Sequence, residues 1–143
     1  MTGSRAMQSL RVILIVLFTL PAFARADNHR AQDWPEGSAM HTGRLAQNRL
    51  AAADKKLNAT YQVLLKAMPL DEPDNYPRKA LVGAQRAWIN YRDASCALVG
   101  EMTGGVRMWK STHTVSCEAE LTEKRTAELS ALHMCVTKGE KCQ

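Results

Sequence analysis

A chain of 143 residues, 45% of them hydrophobic, has room for one domain with a modest core. Its formal net charge of +5 comes from 19 basic against 14 acidic residues, interspersed rather than clustered. That dispersal excludes the basic face of a nucleic-acid binder, so no nucleic acid is expected as a partner.

The N-terminus carries an address. MTGSRAMQSLR holds two arginines and no acid, VILIVLFTLPAF follows as an apolar run of 12 residues, and Ala24-Arg25-Ala26 puts small residues where a signal peptidase reads. The run is too short to span a bilayer, and Pro21 interrupts it. Residues 1–26 therefore read as a cleaved signal peptide. No cysteine near the cleavage point would take a lipid, so the expected product is soluble, periplasmic or secreted, and free of the membrane. Arg5, Arg11 and Arg25 leave with the signal, and the remaining 16 basic and 14 acidic residues give a net charge of +2.

Residues 27–41, DNHRAQDWPEGSAMH, are polar and aperiodic and contain Pro35 and Gly37; they read as a flexible lead. The helical domain is expected over 42–143. Its first helix runs over 42–68, where Leu50, Ala53, Leu57, Tyr61, Leu64 and Met68 recur at threes and fours. Pro69, which has no amide proton, stops it. PLDEPDNYP is a connector, and Pro77 suits the first turn of a second helix over 78–101. The inner stripe of that helix is Leu81, Gln85, Trp88, Arg92, Cys96 and Val99, with Arg86, Asn90 and Asp93 outward. Gly100, Gly104 and Gly105 break it into a tight turn. A third helix follows over 109–134, its period blurred because Glu120 and Lys124 fall near Trp109 and His113. No strand pattern or repeat occurs. The fold class is all-α, a three-helix antiparallel bundle stapled by disulfides.

Export makes disulfides the default for Cys96, Cys117, Cys135 and Cys142. Of three possible pairings, Cys96–Cys117 with Cys135–Cys142 fits the hairpin geometry. No C-x-x-C is present, and His29, His41, His113 and His133 have no metal-site spacing, so neither metal nor cofactor is expected. Ser95, Ser111, Ser116 and Ser130 lie in no nucleophile motif. Glu118 and Glu120, two apart, lie on different helix faces. An enzyme is not expected. Asn58-Ala59-Thr60 matches a glycosylation acceptor but sits in mid-helix.

AQRAWINYRDASC, residues 84–96, poses the main puzzle. With Trp88 at 0°, Arg92 falls near 40° and Gln85 near 60°, at about 100° per residue. An unpaired guanidinium on an apolar stripe is costly. The expectation is that Trp88 anchors the core and Arg92 meets a carboxylate on the third helix, Glu118 or Glu120.

The elements LNATY at 57–61, AQRAWINYRDASC, Gly104-Gly105, Cys117 and TEKR at 122–125 together resemble the LprI-type lysozyme inhibitor family, over roughly residues 45–132. The resemblance marks Leu57, Asn58, Tyr61, Gln85, Trp88, Tyr91, Arg92 and Asp93 as its motif. It implies a small exported helical domain that binds a protein, a lysozyme being the candidate target, and occludes its cleft. The chain departs from family members that carry a cysteine ahead of LN-x-x-Y; its extra pair lies at the other end. The alternative function is an envelope interaction module without inhibitory activity. GGVRMWKSTH, 104–113, is the candidate contact, with Arg107 and Lys110 facing cleft carboxylates and Trp109 adding apolar area.

Intact-mass analysis of exported protein should find a chain that starts at Asp27. A lipid adduct or a retained N-terminus would contradict the signal reading.

Overall fold

The computed structural model describes residues 34–68 and 76–139. The expected signal peptide, residues 27–33 of the lead, residues 69–75 of the connector and Cys142 lie outside the described residues. Within them are three helices, α1 (Ala39–Ala67), α2 (Tyr76–Thr103) and α3 (Arg107–Lys138). Each extends past the sequence-based expectation. α1 begins three residues early because Ser38 caps it, its Oγ accepting from the His41 amide at 3.2 Å. α2 begins at Tyr76, which leaves Pro77 in the first turn, where its missing amide proton costs nothing. α3 runs on to Lys138 and ends at Gly139 in the left-handed conformation, φ 67°.

Consecutive helices are antiparallel, so α1 and α3 run the same way. α3 lies between its neighbours: both pack along it, while α1 and α2 touch each other only sparsely. This explains the blurred period of α3. A helix packed on two sides has no single apolar stripe, and its buried positions are Thr112, Ala119, Thr122, Thr126 and Leu129. The threonines are tolerated there because most return a hydroxyl hydrogen bond to their own helix. Thr112 Oγ1 bonds the Met108 carbonyl at 3.0 Å, and Thr126 Oγ1 bonds that of Thr122 at 2.8 Å.

The bundle is built in layers. At the connector end Leu57 and Leu64 of α1, Leu81 of α2 and Leu129 of α3 form the core, with Tyr61, Trp88 and Leu132 packed around it. Burying each leucine contributes roughly 1.5–3 kcal/mol. Towards the α2–α3 turn, Cys96 and Cys117 are disulfide-bonded with their Cα atoms 5.4 Å apart. The bond closes a loop whose chain-entropy contribution is roughly 3 kcal/mol. Cys135 is also disulfide-bonded, and its expected partner Cys142 lies outside the described residues.

Nearest the turn, side chains give way to close backbone approach. A Cβ on Gly43 of α1 would stand 2.9 Å from Thr112 Oγ1, and one on Gly100 of α2 would stand 2.8 Å from the Lys110 carbonyl and collide with Thr114 Oγ1. This overturns one sequence expectation. Val99 is exposed, and Gly100 takes the inner position, because α2 and α3 are too close there for a valine.

Gly100→Ala should therefore destabilise the domain by about 1–3 kcal/mol, since backbone at Lys110 must move. Gly83→Ala, at an exposed helical position with open space around it, should be neutral or stabilising. Urea unfolding of the two variants checks the contrast.

Candidate functional site

The sequence singled out two regions, and the structure assigns them different work. The first is the polar layer around Arg92. Its side chain is 16% exposed, so its charge needs partners, and it finds them on all three helices. Nη1 donates to Asp54 Oδ1 of α1 at 3.1 Å and to Thr122 Oγ1 of α3 at 3.2 Å, and Nε donates to Asp93 Oδ1 on its own helix at 2.9 Å. The expected carboxylate, Glu118 or Glu120, is not the partner. Glu120 pairs with Lys124 at 2.6 Å, one turn along α3, and the bond holds its carboxyl below the usual range. Asp54 wins because it borders the α1 stripe, beside Ala53, at the height of Arg92. Asp93, outward as expected, folds back to share the same guanidinium.

Trp88 stands between two cations. Arg92 Cζ lies 5.4 Å and Arg125 Cζ 5.9 Å from its ring centroid, both within cation–π range. Arg125 Nε donates to Gln85 Oε1 at 3.1 Å, and its Nη1 to Glu128 at 2.8 Å. Gln85, Trp88, Arg92 and Asp93 thus form one assembly, joined by Asp54, Thr122 and Arg125, which the motif reading had not assigned to it. Charge pairing across helices was the missing signal: Thr122 and Arg125 belong to the TEKR block, and their spacing of three puts them on one face of α3. Tyr91 is the exception. It is exposed and takes no part in the network.

Glu118 stands near this layer, and burial raises its carboxyl pKa. Arg92 opposes the rise, and Asp93 and Asp54 add to it. Asn58 and Tyr61 lie on an open groove between α1 and α2, which Asp54, Gln85, Trp88 and Arg92 also line. Leu57 is core.

The second region is the α2–α3 turn. Gly104 and Gly105 adopt φ of 77° and 88°, which only glycine reaches without strain, so the chain reverses within a few residues. Val106 precedes α3 without any side-chain cap. Met102, Val106 and Met108 are 78%, 70% and 46% exposed, which makes the tip apolar. Arg107 sits among them, exposed and, among the described residues, without an ion pair. Lys110 differs: its Nζ is 2.6 Å from Glu101 Oε2, so its charge is already shared across the turn. Trp109 is half-buried, stacked on His113 with ring centroids 6.0 Å apart.

Among the described residues no group of three His, Cys, Asp or Glu side chains is placed to hold a metal. No described helix is long and apolar enough to cross a membrane.

A disulfide-linked three-helix domain, organised around a shared arginine and presenting an apolar tip, is the kind of molecule these features define. Residues 33–129 match the family model described as lysozyme inhibitor LprI, and the chain belongs to that family. It is also 43% identical over 89 residues to an uncharacterised protein of Rhizobium meliloti (strain 1021), a match covering 57% of this chain and 63% of the relative. The match thus spans somewhat under two thirds of that relative's length. No solved structure matches the chain.

The raised pKa of Glu118 gives a signed expectation. Between the ordinary carboxylate pKa and the raised one, the folded state binds more protons than the unfolded state. Stability therefore falls as pH rises through that window, and the charged Glu118 is a cost at neutral pH. Glu118→Gln should raise Tm at pH 7, with the gain vanishing as pH falls below the ordinary carboxylate pKa. Melting curves across pH would show this, and an equal gain at all pH values would contradict it.

Proposed function

We propose that this protein, exported and freed of its signal peptide, binds a lysozyme-type muramidase and occludes its cleft with the α2–α3 tip. The observation that carries the reading is the exposed trio Met102, Val106 and Met108 at the same turn as Arg107, which is exposed and has no ion pair among the described residues. Apolar area with an arginine at its centre is the composition of a binding hot spot, and methionine adapts to irregular partner surfaces. Glycosidase clefts work through a pair of carboxylates. Arg107, on the narrow end of a bundle, has both the charge and the position to meet one of them. Lys110, committed to Glu101, steadies the turn and adds little to the contact; Trp109, stacked on His113, sets the direction in which the tip points. Membership of the inhibitor family supports the same choice of partner.

Arg107→Ala should weaken inhibition of a susceptible muramidase tenfold or more, corresponding to about 1.4 kcal/mol. Met102→Ser with Val106→Ser should do the same by removing apolar contact. Neither change should alter the melting temperature much, because these side chains pack against little of the domain. Cell-wall turbidity assays with the variants measure the effect. Full inhibition by both would remove the tip from the interface. No inhibition by the native protein across several animal and bacterial muramidases would leave a non-inhibitory envelope interaction module.

A further inference from the structure

We propose that the groove between α1 and α2 binds an acidic oligosaccharide. The groove exists because those two helices both lean on α3 and scarcely touch one another. It measures about 490 Å³, within the range of small-molecule sites. Leu57 and Trp88 line its depth, Asn58 and Gln62 its α1 side, and Gln85 and Arg86 its α2 side.

Gln85 is the most telling of these. It is only 8% exposed, and its Oε1 is held by Arg125, itself anchored on Glu128. Its amide nitrogen makes no hydrogen bond among the described residues. Yet among the described residues His41 Nδ1 is the sole fully enclosed side-chain polar atom lacking one. The Gln85 nitrogen is therefore reachable, and the groove that Gln85 lines is where it is reached. The Gln85 amide thus presents to the groove a donor whose orientation is set by the Arg125 contact. Around it the Tyr61 hydroxyl and the side-chain amides of Asn58 and Gln62 likewise make no hydrogen bond among the described residues.

The choice of ligand follows from what the walls lack. Every lining residue is helical, so its backbone is already paired and cannot hold an extended peptide by strand addition. A docked helix would need a continuous apolar trough, and here polar amides interrupt it. Planar amides and a guanidinium beside a tyrosine ring suit neighbouring hydroxyls on a sugar. Charge decides the rest. Past Val82 and Arg86 the groove opens onto a shelf bordered by Leu65, Arg78 and Lys79. Arg78, Lys79 and Arg86 have no carboxylate partner among the described residues, and arginine pairs with carboxylate in two parallel hydrogen bonds. Asp54, the acid within the groove, is already shared with Arg92. The pyranose rings would lie against Tyr61, Asn58, Gln62 and Gln85, and the sugar carboxylates would reach Arg86 and the shelf.

The site is at the connector half of the bundle, remote from the tip, so its test is independent of muramidase inhibition. The labelled mature protein is titrated, following amide resonances, with a tetrasaccharide of alternating glucuronate and N-acetylglucosamine. Chitotetraose, which lacks carboxylates, and poly-glutamate, which lacks sugar, are the comparisons. The expected result is saturable shifts of the Asn58, Gln62 and Gln85 side-chain amides, with the acidic sugar bound at least about fivefold tighter than chitotetraose. Arg86→Ala should abolish that preference. Asn58→Ala with Gln62→Ala, both exposed positions, should weaken both sugars at unchanged melting temperature, and Arg107→Ala should affect neither. The proposal is overturned if no groove amide shifts at millimolar sugar. Equal shifts from poly-glutamate would also overturn it, because they would reduce the site to its charge.

Discussion

One guanidinium fixes how the three helices stand. Arg92 is largely enclosed, so its charge must be met from within the protein, and the groups that meet it come from α1, α2 and α3. Sliding a helix along its axis would separate Arg92 from Asp54 or Thr122 and leave a largely enclosed cation short of partners. A leucine core alone tolerates such slippage far better, because apolar contact is not directional. The Arg92 layer supplies register, the leucine layer supplies most of the favourable burial, and the disulfide ties α2 to α3 beyond it. Trp88 joins the first two, since it packs on the core while its ring accepts both cations.

Much of this was legible in the sequence where one helix face was apolar and the other was not. α1 and α2 announced themselves by period, by their prolines and by the glycine turn, and the anomaly of Arg92 on an inner stripe pointed to a paired interior charge. The identity of the partner was not legible, because pairing depends on which helices meet at which height. Glu118 and Asp54 are equivalent in a one-dimensional reading. Val99 failed for a related reason: hydrophobicity marked it as inner, but the nearness of α3 gave the place to Gly100. The face of α3 was obscure because a helix buried on two sides by alanine and threonine has no amphipathic signal to offer.

The candidate sites show a similar division. The motif residues that make the family recognisable mostly build the interior, and they say little about what the surface touches. Asn58 and Tyr91 are exceptions: they belong to the motif, yet both are exposed. The tip, by contrast, has little motif character beyond its two glycines. Met102, Val106 and Arg107 are exposed there, so the fold places little constraint on their identity.

The central position of α3 also bears on how the domain comes apart. α2 and α3 are covalently joined through Cys96–Cys117 and adjacent in the chain, whereas α1 is attached at one end through the connector and otherwise by side-chain contact. Since α2 cannot leave α3 while Cys96–Cys117 is intact, the partial opening left to the oxidised domain is the lifting of α1 as a unit, against its extensive packing on α3. Such a state would uncover the Asp54 side of Arg92 and the inner faces of Leu57 and Leu64 together. Amide protection should therefore be graded by helix, with α3 the slowest to exchange and α1 the first to yield.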